Sequence, residues 1–175
     1  MARKIFSAYL IIFATVVVFI SSAQAGEVKV YVDKEIKPVV LRLISEAEKQ
    51  IDIEMYILTD RNVIEALEKA EGRGVEVRLI LDPNQRYNLE HTDDLKREGV
   101  EIKWYPVSKP ALMHRKAAIF DEEKVILGSC NWSRNGFTNS KEINVLINDA
   151  QAVKEIIEIF SGDWYHSYLG HYEKY

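Results

Sequence analysis

Between His114 and Asn131 the chain sets a histidine, a lysine two residues on, Asp121 after a short apolar run, and then Gly128-Ser129-Cys130-Asn131. An imidazole, with an ordinary pKa of about 6.5, is substantially neutral at neutral pH and can attack as a nucleophile or accept a proton. The Lys116 ammonium can neutralise a phosphoryl oxygen. The Ser129 hydroxyl and the Asn131 amide can donate hydrogen bonds to equatorial oxygens as charge redistributes. These groups together suit the holding and attack of a phosphodiester. Taken alone, His114 reads as a satisfied core histidine and Lys116 as an edge-strand charge. Six specified residues at fixed spacing arise by chance at roughly 10⁻⁸ per start position, taking each as about one in twenty, so the chemical reading is the stronger.

The elements that must position these groups alternate. Val28, Val30 and Val32 recur at strand periodicity, and Val39, Val40, Leu43, Ile44 and Ala47, after Pro38, at helical spacing. Ile51 to Tyr56 reads as a strand, Val63 to Ala70 as a helix ended by Gly72 and Gly74, and Val75 to Leu81 as a strand stopped by Asp82-Pro83. A helix over 89–98 and a strand over 100–105 complete a β-α-β-α-β-α-β series. This order predicts one α/β domain with a mixed, mostly parallel sheet flanked by helices on both faces. Strands over 113–120 and 124–129 lie too close for a crossover and predict an antiparallel hairpin. A strand over 142–147 and a helix over 150–160 follow.

A two-residue turn at Glu122-Glu123 would set Asp121 opposite Lys124, His114 opposite Asn131 and Lys116 opposite Ser129. Opposed residues share a sheet face, so the four polar groups would converge there, with Asp121 on the other face. A slip of one residue would separate His114 from Asn131.

The first 25 residues have the layout of an export signal: Arg3 and Lys4, the apolar run Ile5 to Ile20, and Ala23-Gln24-Ala25. Cleavage would leave residues 26–175 as an exported, periplasmic or secreted domain. The 16-residue run, against the roughly 20 that span a bilayer, leaves retention as an amino-terminal anchor over residues 5–20 as the alternative. Cys130 is the single cysteine, so no intrachain disulfide forms and stability rests on packing. Removing Arg3 and Lys4 from the 23 basic residues leaves 21 against 27 acidic ones, a formal charge of −6, which argues against a broad electrostatic grip on nucleic acid. Lys109, Arg115, Arg134 and Lys141 flank the motif and can supply a local basic rim, with Arg134 as a candidate substrate contact. His91, His166 and His171 have no metal-ligand spacing, so neither a metal nor another cofactor is expected.

His114, Lys116, Asp121, Gly128, Ser129 and Asn131 match the H-x-K-x4-D-x6-G-S-x-N signature of the phospholipase D superfamily. The resemblance runs over nearly all of residues 26–175, including Arg73 to Arg78 and Asn131-Trp132. In length and single motif the chain resembles the exported bacterial nucleases and the related mitochondrial-surface Zucchini-type proteins of that superfamily. The resemblance implies a metal-independent phosphodiesterase that passes through a phosphohistidine. It also implies that Glu142, at the start of the next strand, corresponds to the carboxylate that orients the histidine. Asn144 is a weaker candidate on the same face, and Asp121 and Gly128 are structural members of the motif.

In-line displacement at phosphorus needs a nucleophile on one side and an acid for the leaving oxygen on the other. One His114 cannot stand in both places, so a two-fold homodimer is expected. Three functions follow as expectations: an endonuclease acting on DNA or RNA, a phospholipase D-type enzyme acting on a phospholipid such as cardiolipin, or a non-enzymatic, membrane-tethered nucleic-acid-binding module. A membrane partner is expected only if the amino-terminal segment is retained.

Overall fold

Alternation of Ile51, Ile53 and Met55 with Asp52 and Glu54 gives strand β2 (Gln50–Met55) two chemically unlike faces, both buried. In the computed structural model, which describes residues 26–169, helices cover each face of a seven-stranded sheet. The expected export signal or anchor over 1–25 lies outside the described residues. Among those described, no helix is long and apolar enough to cross a membrane.

On the apolar face, α1 (Ile36–Glu46) and α2 (Arg61–Glu71) bury Ile36, Val40, Leu43, Val63 and Leu67 against the odd-numbered residues of β2. Asp60 caps α2 by accepting from the Val63 amide. On the other face, α5 (Ala150–His166) lays Val153 and Phe160 over Ile80, Ile119 and Val125. Charge reinforces this second contact. Asp52 takes a forked hydrogen bond from Arg78 at 2.6 and 2.7 Å, and the Arg78 guanidinium lies over the Phe160 ring at 5.2 Å. Arg115 pairs with Glu54 at 3.2 Å and also with Asp163 of α5. Burial pushes the Glu54 carboxyl pKa upward, and the Arg115 charge opposes that.

The strand order is β1 (Val28–Val32), β7 (Ile143–Ile147), β6 (Lys124–Gly128), β5 (Lys116–Phe120), β2, β3 (Glu76–Leu81) and β4 (Glu101–Trp104). The mixed α/β sheet with helices on both faces is as expected; the proportion of pairings is not. Only β2–β3 and β3–β4 pair in parallel, and the other four ladders are antiparallel. The reason is that β1 does not pair with β2 across α1 but adds to the far edge beside β7, while β5 enters antiparallel between β2 and β6. The helix over residues Leu89–Arg97, α3, connects β3 to β4, and the short helix α4 (Arg134–Thr138) connects β6 to β7.

The β5–β6 hairpin corrects the predicted register. Phe120 stands opposite Lys124 and Ala117 opposite Leu127, one residue away from the expected pairing. Three residues make the turn, with Asp121 at φ 53° and Glu122 at φ 59°. Amides from outside the hairpin stabilise that conformation: the Asp121 carboxylate accepts the backbone N–H groups of Glu48, Lys49 and Gln50 at 2.7 to 3.2 Å. Its own amide donates to the Gln50 carbonyl at 2.8 Å. Ladder pairing therefore begins at Lys116 and ends at Gly128, so convergence of His114, Ser129 and Asn131 cannot come from a shared hairpin face.

Burial works to raise the Asp121 pKa, but the amides of Gln50, Glu48 and Lys49 draw it below its ordinary 3.8. A depressed carboxylate contributes stability that is complete above its unfolded pKa and is lost as pH falls through the folded one. Asp121→Asn is expected to cost about 1 kcal/mol in urea unfolding at pH 7, allowing for solvent screening. That difference should shrink as the titration is carried below pH 3.8.

Candidate active site

Strands β1, β6, β2, β3 and β4 run one way, and β5 and β7 the other, so five carboxyl ends and two amino ends share one edge of the sheet. The motif residues meet at that edge. His114 lies just before β5, Lys116 is its first residue, Ser129 to Asn131 follow β6, and Glu142 precedes β7. Open α/β sheets bind ligands beyond the carboxyl ends of their strands, where backbone termini and loop side chains converge.

Lys116 is buried and His114 exposed. The Lys116 Nζ is 2.9 Å from His114 Nδ1 and donates to the His114 carbonyl at 2.6 Å. Tyr56, just past β2, supports both: its ring lies 4.4 Å from the imidazole, centroid to centroid, and 5.0 Å beneath the ammonium. Burial and then the Lys116 charge push the His114 pKa below 6.5, against an opposing pull from Asp82. Its ring is thus mainly neutral at pH 7, the form that can attack phosphorus. Burial also lowers the Lys116 pKa, and the Glu142 charge opposes that.

Ser129 donates a short hydrogen bond to Glu142 Oε2, and its Oγ accepts the Ile143 amide at 3.1 Å. Glu142 therefore meets Ser129 and bears electrostatically on Lys116, while no described hydrogen bond joins it to His114 of the same chain. Asn131 is half-buried, and its Oδ1 is enclosed without a hydrogen-bond donor among the described residues, an unmet acceptor of the kind functional sites retain. Asn144 is buried beneath the loop, and its Oδ1 accepts the Cys130 amide at 3.2 Å. The Cys130 thiol is buried, and burial followed by the Glu142 charge pushes its pKa up to about 12, which keeps it protonated and unreactive.

Other expected residues stand apart. Asp121 occupies the turn at the opposite end of β5. Arg134 is exposed at the first position of α4, whose cap Ser133 accepts the Gly136 amide. Of the expected basic rim, Arg115 is engaged with Glu54 and Asp163, and Lys141 with Asp33 at 2.7 Å. Exposed Lys109 and Arg134 remain, joined at the same edge by Arg86 from the loop after β3, which the sequence reading did not single out. Among the described residues, no three His, Cys, Asp or Glu side chains gather as metal ligands.

Sequence reasoning also passed over Tyr56, Asp82 and Asn88. Asp82, fully buried at the end of β3, accepts the Met113 amide at 2.7 Å and so fixes the approach to His114. Asn88 accepts the Leu58 amide and donates to the Tyr56 carbonyl, each at 3.0 Å, securing the segment that carries Tyr56. Asp82-Pro83 signalled only the end of a strand. Nothing in the local sequence marked Asn88.

With this geometry in place, the likeness to known proteins is specific. Residues 40–164 match the family described as cardiolipin synthase, PLD-like domain, and the chain belongs to this phospholipase D-like family. It is 30% identical over 122 residues to a phospholipase D of Rickettsia conorii, a match covering 69% of this chain and 58% of that protein. It is 26% identical over 125 residues to the human mitochondrial cardiolipin hydrolase, covering 71% and 49%. The chain thus spans about half to three-fifths of these relatives. The fold is that of Nuc, a phospholipase D family member of Salmonella typhimurium, at TM-score 0.74 and 23% identity over 83% of this chain and 99% of that one. NucT of Helicobacter pylori superposes at TM-score 0.73 and 21% identity, covering 81% and 98%.

Gly128 marks how tightly the loop after β6 is seated. A Cβ there would lie 2.2 Å from the Ile143 carbonyl oxygen and 2.6 Å from the Asn144 Cα, contacts that only backbone movement can relieve. Gly128→Ala should lower stability by about 2 kcal/mol in denaturant unfolding, with the loss of activity exceeding the loss of folded protein because Ser129 and Asn131 shift with the loop.

Proposed function

We propose that the protein is a phosphodiesterase, most specifically an endonuclease for DNA or RNA, that works through a phosphohistidine in a homodimeric site. The observation that carries this reading is the exposed His114 beside the buried Lys116, over the Tyr56 ring, with Ser129, Asn131 and Glu142 at the same sheet edge. His114 attacks phosphorus and forms an N–P bond while the bond to the leaving oxygen breaks. The His114 of a second copy, in the imidazolium form that a Glu142 carboxylate reaching it would favour, donates the proton that the leaving oxygen takes up. Lys116 and Asn131 of both copies hold the equatorial oxygens. Water then attacks phosphorus and gives a proton back to the second His114, neutral after the first step, while the N–P bond breaks and the phosphate ester is released. Glu142, engaged with Ser129 rather than with its own His114, is available to the imidazole of the other copy.

The surface suited to that assembly lies beside the site. Val28, Val30 and Val32 of β1 and Ile143 of β7 are exposed on the sheet face that α5 leaves uncovered, with exposed Ile159 on α5 itself. The stripe continues into a cavity of about 230 Å³ bounded by Ala117, Leu127, Gly128, Ile156 and Ile159 and reaching Lys116. Apolar surface of this extent on a sheet is the usual mark of an interface. The exposed Arg86, Lys109 and Arg134 offer phosphate contacts at the rim despite the acidic total, which supports a nucleic-acid substrate.

The names of the relatives, phospholipase D and cardiolipin hydrolase, favour a phospholipid as the second reading. Incubation in EDTA with labelled single-stranded DNA, RNA and cardiolipin vesicles separates the two: nucleic-acid cleavage is expected, and cleavage of lipid alone would overturn the nuclease reading. His114→Ala should reduce turnover by roughly 10³-fold or more, and undiminished activity would remove the catalytic assignment. Val30→Glu is expected to yield a folded monomer in sedimentation with little activity. A fully active monomer would refute the two-copy site.

A further inference from the structure

Asp33 follows β1 at the same edge of the sheet and holds a left-handed backbone, φ 52°. That conformation is costly for side chains in general and least so for Asp and Asn, whose short polar groups can bond locally. Nothing in the packing requires it, because the turn Asp33–Glu35 buries no residue. Its hydrogen bonds do require it. The Asp33 amide donates to the Glu142 carbonyl at 3.0 Å, and its Oδ1 accepts the Glu142 amide at 3.0 Å. Its Oδ2 takes the Lys141 ammonium at 2.7 Å. Both peptide groups that flank the Glu142 side chain are thereby tied to the single residue that follows the edge strand. From the other side, the Ser129 amide donates to the Ile143 carbonyl at 3.0 Å. With its backbone held so, Glu142 has only side-chain rotation left, and its carboxylate meets the Ser129 hydroxyl.

We propose that Asp33 is a positioning residue for the reaction: by gripping the Glu142 main chain it aims the Glu142 carboxylate at Ser129 and Lys116. This rests on the reading of Lys116 and Glu142 as site residues. The groups facing Lys116 are His114 ahead of β5, the Tyr56 ring after β2 and Glu142 ahead of β7, while Asp82 bears on His114. Glu142 is the anion that favours the protonated form of Lys116. Freed from Asp33 it would spread away from the site, and the protonated groups there would lose their protons at lower pH.

The test compares Asp33→Gly, which keeps the backbone freedom and removes the carboxylate, with Asp33→Asn, which keeps both an acceptor and tolerance of positive φ. Both are made in the full chain and assayed on bis(p-nitrophenyl) phosphate. Asp33→Gly is expected to lower kcat about tenfold with KM within about threefold, and to move the alkaline limb of the pH profile downward by about half a unit or more. Asp33→Asn is expected to restore kcat to within about threefold of the parent. An unchanged rate and profile in Asp33→Gly would overturn the proposal. So would a loss that scales the whole profile in step with a fall in melting temperature, or an Asn variant no better than Gly. Lys116→Ala and Glu142→Gln serve as references. If both keep full activity, the site reading itself fails; if both are inactive while Asp33→Gly is not impaired, only the role of Asp33 does.

Discussion

Insertion of β5 between β2 and β6, antiparallel to both, is the constraint on which the arrangement of this protein depends. It reverses one strand within a group otherwise running the same way, so the amino end of β5 comes to lie among carboxyl ends. Without that reversal His114 and Lys116 would be at the far side of the sheet from Tyr56 and Asp82. The insertion is secured at its other end by Asp121, whose carboxylate satisfies three amides where α1 hands over to β2. One motif residue thus anchors the strand, and two others at the opposite end use the position it secures.

Charge at the site is a balance of opposing terms. Burial penalises the Lys116 ammonium, and Glu142 returns part of what burial removes. His114 is pushed toward neutrality by burial and by Lys116, while Asp82 pulls the other way. These couplings explain how a chain with an acidic total can present a local site fit for a phosphodiester. Elsewhere the acidic residues are employed structurally, as Asp52 with Arg78 and Glu54 with Arg115 beneath α5. Arg115 adjoins His114 in sequence, yet its charge is engaged in holding α5 to the sheet and does not form part of a basic rim.

On the proposed two-copy reading, the uncovered part of the α5 face and the need for a second histidine belong together. A single copy brings one His114 to the sheet edge and exposes Val28, Val30, Val32 and Ile143, where that reading places the second copy. Burying that stripe against its symmetry mate would gain hydrophobic stabilisation and assemble the chemistry in one step. Asp33, just after β1, and Asn144, within β7, hold Glu142 and the Cys130 amide in place within a single copy.

The motif was legible in the sequence because its spacing is covalent: His114, Lys116, Gly128, Ser129 and Asn131 keep their separations whatever the chain does. The elements were legible as well, since hydrophobic periodicity reports which face of each segment is buried. The register of the hairpin was not. It depends on a three-residue turn whose left-handed residues are held by amides from a distant segment, 73 residues earlier for Glu48. The pairing of β1 with β7 and the proportion of antiparallel ladders were hidden for the same reason, because local pattern carries no information about which strand lies next to which. Tyr56, Asp82, Asn88 and Asp33 acquire a role only through that strand order. Sequence alone therefore determined which groups make up the motif, and tertiary structure decided which neighbours hold them, because proximity across a sheet is set by long-range pairing.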